Sequence, residues 1–210
     1  MTLASLTLVD TQSAIVHAWR QEFSAYPSVT VVHDSIFNVR ADTLVSPAKS
    51  FGIMDGGLDG QLSSYFGESL ERRVRERIKN EFHGELPVGL AITVDTGFET
   101  YQRVICAPTM RCPSEVPRSI NAYLAMKAIL NEAKRHADSM HIAVPGLCSL
   151  TGAMSASQVA RQMRIAYERV VVGLYPYTHW REEREFESYV RGEISQPPID
   201  LQPYLRPYRP

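Results

Sequence analysis

The residues best suited to chemistry gather in two stretches of the chain. The first is Val45-Ser46-Pro47-Ala48-Lys49-Ser50-Phe51-Gly52-Ile53-Met54-Asp55-Gly56-Gly57-Leu58-Asp59-Gly60. The second is Val144-Pro145-Gly146-Leu147-Cys148-Ser149-Leu150-Thr151-Gly152-Ala153-Met154. Each follows a short β-rich run and leads into a segment with helical period. A loop of this kind offers an anion its backbone N–H groups and the positive end of a helix dipole. Glycine lets the backbone approach a phosphate with no Cβ in the way. On its own, a Gly-Gly pair before a helix more often marks a turn than a phosphate cradle.

Other chemistries leave no trace. There is no Walker-A pattern, no three-glycine dinucleotide fingerprint, no Gly-x-Ser-x-Gly elbow and no His-Glu-x-x-His pair. The histidines at 17, 33, 83, 136, 141 and 179 show no ligand spacing, so neither a metal nor a cofactor is expected. Cys106, Cys112 and Cys148 are an odd set at no metal-like or disulfide-like spacing. They read as small apolar residues in or near strands.

The elements that must position the two loops follow from hydrophobic period. Leu6–Val9, Val29–His33, Thr43–Val45, Gly89–Val94, Arg103–Ala107 and His141–Val144 read as strands, the last short and apolar like a buried central strand. Ile15, Trp19 and Phe23 mark a first helix. Leu62, Phe66, Leu70, Val74, Ile78 and Phe82, spaced by four, predict one long helix. Its run Glu71-Arg72-Arg73-Val74-Arg75-Glu76-Arg77 mixes signs, as a solvated face does. Ile120, Leu124 and Ala128 outline a helix ending near Asp138. Ser155-Ala156-Ser157-Gln158 is a capping-box pattern opening a helix that buries Val159, Met163, Ala166 and Val170. This alternation predicts an α/β fold, with a mixed, largely parallel sheet covered by helices on both sides.

At 210 residues the chain suits one domain with a modest appendage. Residues 1–175 are expected to form it. Residues 176–210 read as an extension, with Trp180–Gly192 charged and helix-compatible. Its end, Gln196–Pro210, holds five of the 13 prolines and cannot continue a helix or enter a central strand. With 22 basic and 23 acidic residues, the formal charge of −1 argues against a nucleic-acid-gripping protein. The N-terminus lacks a basic segment followed by an apolar one, and runs such as Arg169–Tyr175 are far too short to span a bilayer. A cytoplasmic chain with no membrane partner is expected.

Taken in order, the motifs carry more than they do singly. Asp42-Thr43-Leu44-Val45-Ser46-Pro47-Ala48-Lys49, then Asp55-Gly56-Gly57-Leu58-Asp59-Gly60, resembles the macro-domain signature in its bacterial and phage branch. Asp34-Ser35-Ile36 lies where that family reads Gly-Asp-Ile, and Gly146–Met154 resembles its diphosphate-wrapping loop. The resemblance covers roughly residues 29–172. It implies a three-layer α/β/α fold of about six or seven strands, and binding of ADP-ribose or a related nucleotide. Adenine would lie near Asp34, Ser35 and Ile36. The diphosphate would lie along Ser46, Ala48, Asp55, Gly56, Gly57 and Leu58 and along Gly146, Ser149, Leu150, Thr151, Gly152, Ala153 and Met154. The distal ribose would lie near Lys49 and Asp59. An ADP-ribosylated macromolecule is an implied partner.

The sequence also departs from the family pattern. Lys49 stands at the family's second asparagine, and lysine donates but cannot accept. Asp55 replaces the first glycine of a triplet. Cys148, Leu150 and Ala153 stand where relatives carry glycines, and their side chains are expected to hold φ below zero. Strict counting from Asp42 puts Ser35, not Asp34, at the adenine aspartate. Asp59 matches the aspartate that helps position or activate water in ADP-ribosyl hydrolases. Three readings stay open: a binder of ADP-ribose, an ADP-ribosyl hydrolase or ADP-ribose phosphate phosphatase, and an interaction protein that has kept the fold and lost the pocket.

Overall fold

The computed structural model describes residues 5–136, 140–174 and 179–198. In chain order the elements are β1 (Ser5–Asp10), α1 (Ser13–Glu22), β2 (Val29–His33), β3 (Thr43–Ser46), α2 (Gly57–Phe66) and α3 (Glu68–Phe82). Then come β4 (Ile92–Asp95), β5 (Arg103–Cys106), α4 (Asn121–Arg135), β6 (His141–Val144), α5 (Ala156–Tyr167) and α6 (Trp180–Arg191). The strands form one sheet in the order β2-β1-β6-β3-β5-β4. All neighbours run parallel except β4 against β5.

Period-two alternation along the strands sends side chains to two separate cores. Leu6 and Leu8 of β1, Val45 of β3, Ile105 of β5, and Ile142 and Val144 of β6 face a cluster built with α1, α4 and α5. Val9, Leu44, Val104, Cys106 and Ala143 face the opposite cluster, built with α2 and α3. Three layers result, as the alternation of elements implies.

Four details differ from the sequence-based expectation. The stripe from Leu62 to Phe82 belongs to two helices, because Gly67 (φ +80°) interrupts the ladder between α2 and α3. The stripe survives the break, and both halves bury it in the same cluster. The strand expected over Gly89–Val94 begins only at Ile92, because a turn closes with Leu90 N–H donating to the Pro87 carbonyl (3.1 Å). Helix α4 buries more than one narrow stripe. Ala122, Tyr123, Ala125, Met126, Ile129 and Leu130 are covered, since the helix packs against both the sheet and α5. Its expected end near Asp138 lies outside the described residues. At α5, Ser155 Oγ accepts the Gln158 N–H (3.4 Å), while the Gln158 side chain meets that hydroxyl instead of the Ser155 N–H. Only half of the capping box forms.

The charged segment 180–191 is helical and buries Phe186, Tyr189 and Val190 in the first cluster. Arg164 ties it down, donating to Tyr189 Oη (2.9 Å), Glu22 (2.6 Å) and Glu168 (2.5 Å). The prolines at 203, 207 and 210 lie outside the described residues. Among the described residues, no helix is long and apolar enough to cross a membrane.

Candidate functional site

Parallel strands β1, β6 and β3 are neighbours, so their carboxyl ends open on one edge of the sheet. Ligands of open α/β sheets bind at such an edge. A cavity of about 530 Å³ lies there, walled by the segments that follow all three strands. Its size is that of a small-molecule site.

The first wall is the loop after β3. Its backbone extends the parallel ladder past the strands: Ala107 N–H donates to Ser46 (3.1 Å), Thr109 N–H to Ala48 (3.0 Å), and Ser50 N–H to Arg111 (3.2 Å). Ala48 is spent on this packing and is buried, so it does not line the cavity. Ser46 is also buried behind the wall, where its hydroxyl donates to Asp59. Lys49, Asp55, Gly56, Gly57, Leu58 and Asp59 all reach the cavity. Gly57 takes φ +57°, a left-handed turn that delivers the chain into α2.

Three charges on this wall behave differently. Asp59, in the first turn of α2, is 5% exposed. Burial pushes its carboxyl up to about 6, against the opposing pull of the Ser46 hydroxyl and of Lys49. Asp55 is exposed and hydrogen-bonded by the Lys49 ammonium, which holds its carboxyl below the usual range. Lys49 therefore neither points freely to solvent nor stands alone; its charge is paired with the other departure from the family pattern.

The second wall is the loop after β6. Gly146, Ser149, Leu150, Thr151 and Gly152 line the cavity, while Ala153 does not and Met154 is buried in the first core cluster. The expectation that cysteine and alanine here keep φ below zero is wrong. Cys148 (φ +63°) and Ala153 (φ +52°) both take the left-handed conformation. Surrounding hydrogen bonds impose it: Met154 N–H donates to Cys148 (3.0 Å), Ala153 N–H to Leu150 (2.9 Å), and Val116 N–H to Gly152 (2.8 Å). Gly152 is required by space, because a Cβ there would sit 2.5 Å from the Cys148 carbonyl oxygen.

Asp34, Ser35 and Ile36 form the third part of the lining. Asp34 Oδ1 accepts from Ser35 N–H (2.7 Å) and Asn38 Nδ2 (2.8 Å), which lowers its carboxyl's pKa. Ser35 Oγ in turn accepts the Phe37 N–H (3.3 Å) and caps the short 3₁₀ turn Ile36–Asn38. Both residues are thus present at the cavity, whichever matches the family aspartate.

The sequence reading missed the end of β1. Asp10, Thr11 and Gln12 line the cavity. Asp10 accepts from Gln12 N–H (2.8 Å) and from Gly146 N–H (3.0 Å), joining the first strand to the second loop. The signal was available: β1 is a parallel strand, and its carboxyl end belongs to the same edge as the two glycine-bearing loops. Thr109, Met110 and Pro113 were missed as well, being part of an irregular stretch with no motif. Among the described residues, no group of three or more His, Cys, Asp or Glu could hold a metal ion.

A second hollow of about 590 Å³ lies between α4 and α6. Its walls are long side chains bonded to one another, with Arg169 donating to Glu183 and to Tyr123 Oη (3.1 Å). It has no strand end or glycine loop, so its chemistry is that of a helix-packing groove.

Comparison with known proteins agrees with this geometry. The model of the family described as "Macro domain" matches residues 45–163. An uncharacterised protein of Aquifex aeolicus is 32% identical over 135 residues, which is 64% of this chain and 78% of that protein. The macrodomain of Mycobacterium tuberculosis DarG superposes with a TM-score of 0.56 at 18% identity, over 66% of this chain and 88% of that one. A mutant Oceanobacillus iheyensis macrodomain with ADPR gives a TM-score of 0.51 at 18% identity, over 63% and 73%. The matched family model spans both glycine-bearing loops and the carboxyl ends of β3 and β6 that open on the cavity: the chain belongs to the macro domain family.

Proposed function

We propose that this chain binds ADP-ribose or a related ADP-ribose-derived nucleotide in the cavity at the β1, β3 and β6 strand ends. The observation that carries the reading is the open space of about 530 Å³ between the Asp55–Asp59 turn and the Gly146–Gly152 loop. Family membership supports it, as does the Oceanobacillus iheyensis relative with ADPR. In this reading adenine lies by Asp34–Ile36, and the diphosphate runs between the two loops. The binding unit is residues 1–175, with the segment 180–198 packed on it as an extension. A cytoplasmic setting accords with the free Cys106, Cys112 and Cys148, and an ADP-ribosylated macromolecule is a candidate partner.

Hydrogen exchange tests the placement. Saturating ADP-ribose should slow amide exchange at residues 55–60 and 146–152 and leave the α4–α6 groove unchanged. Protection confined to that groove would move the site elsewhere.

One observation favours a hydrolytic second reading. Asp59 lines the cavity, is held by Ser46, and has a carboxyl raised to about 6, suited to proton transfer near neutral pH. Asp59→Ala should then abolish release of ADP-ribose from an ADP-ribosylated substrate while ADP-ribose still binds. Unchanged turnover removes Asp59 from that role.

A further inference from the structure

The charges around the cavity are lopsided. Among the described residues, Asp10, Asp34, Asp55 and Asp59 line it against one cation, Lys49. An anionic ligand would meet a wall of carboxylates unless each is otherwise engaged. Asp10 accepts N–H groups from its own loop and from Gly146 of the second, and Asp34 accepts backbone and side-chain N–H groups on its own loop. Asp59 is buried under the Ser46 hydroxyl. Asp55 is the carboxylate that occupies the cation.

The two partners of that ion pair are not held equally. Lys49 is anchored by its backbone, which bridges to Met110 and accepts the Gly52 N–H (3.2 Å), and its side chain is 19% exposed. The Asp55 side chain is 68% exposed, at the turn before Gly56. An ion pair with one exposed partner is weak and screened by salt. The diphosphate of ADP-ribose brings two negative charges and four non-bridging oxygens, against one charge and two oxygens on a carboxylate. It can therefore compete for the ammonium.

We infer that the Lys49–Asp55 pair is a displaceable latch, in which an anionic group of the ligand takes the place of Asp55 on Lys49. Lys49 is then the residue that selects phosphate-bearing nucleotides over neutral nucleosides, and Asp55 is a built-in competitor that weakens their binding. This rests on the nucleotide reading above and adds to it the group that sets ligand charge.

The test is titration of wild type, Asp55→Asn, Lys49→Gln and the double variant with ADP-ribose and with adenosine, read as the ratio of the two affinities. Asp55→Asn should raise the preference for ADP-ribose by roughly 3–10-fold, and Lys49→Gln should lower it by about tenfold. On the Lys49→Gln background, Asp55→Asn should have less than about half of its effect, on a logarithmic scale. ADP-ribose binding with a ratio indifferent to Asp55→Asn, or shifted equally in both backgrounds, overturns the latch and leaves the nucleotide reading intact. No ADP-ribose binding by any of the four, each shown folded by circular dichroism, overturns both.

Discussion

The two loops that wall the cavity solve one problem in different ways. Both leave a parallel strand, turn sharply and feed a helix. After β3 the left-handed turns fall on glycines, Gly52 (φ +67°) and Gly57 (φ +57°). After β6 they fall on Cys148 and Ala153, which carry a Cβ into a conformation costing about 1–2 kcal/mol each. The first loop has its shape written in its own residues. The second is held by neighbours, through the hydrogen bonds at Cys148, Leu150 and Gly152 and the burial of Cys148 and Met154 in the core. Glycine count is therefore a poor guide to whether a phosphate-sized turn exists, since tertiary contacts can impose the turn on other residues.

The largest break in this comparison should come at Gly152. A methyl group there meets the Cys148 backbone at 2.5–3.0 Å, which no side-chain adjustment relieves. Gly152→Ala should destabilise by about 2–3 kcal/mol, read as a lower urea midpoint with an unchanged slope. A midpoint within error of wild type would mean the second loop is free to move.

Next in size is Asp59, where the first loop carries a buried charge. Its folded carboxyl, near 6, lies above the ordinary 3.8 of an aspartate, so the native state holds the proton across that window. Stability from this group is greatest below about 4, falls as pH rises to 6, and its penalty is complete above that. The shift corresponds to about 3 kcal/mol at most. Asp59→Asn, which keeps an acceptor for Ser46, should raise stability by about 1–3 kcal/mol at pH 8 and by little at pH 4. Equal effects at the two pH values would show that the charge, not merely the side chain, has been misjudged.

The smallest effect sharpens the contrast itself. Ala153→Gly removes left-handed strain but adds freedom to the unfolded chain, leaving a gain of up to about 1 kcal/mol. A loss of stability instead would mean that the Ala153 turn is unstrained in solution.

Much of the fold was legible because burial on a sheet or helix leaves a period in the sequence. Gly67 was passed over because the four-residue stripe runs through it unbroken, and the stripe does not record that the backbone turns. At the site, Asp34–Ile36, the Asp55–Asp59 turn and most of the second loop could be found by motif. Asp10 bears no motif of its own, so only the strand-end rule pointed to it, and its bond to Gly146, 136 residues away, was not legible. The pairing of Lys49 with Asp55 was equally hidden: a separation of six within a loop has no fixed geometry until the backbone is placed. Sequence also could not tell whether Asp59 was an exposed charge at a helix start or a buried one under Ser46.

The central claim is that the two loops form one nucleotide site, and isothermal titration with ADP-ribose, AMP and NAD tests it most directly. Saturable one-site binding of ADP-ribose, with AMP weaker, is the predicted result, since only the larger ligand spans both loops. No heat with any of the three, from protein shown to be folded, would contradict it.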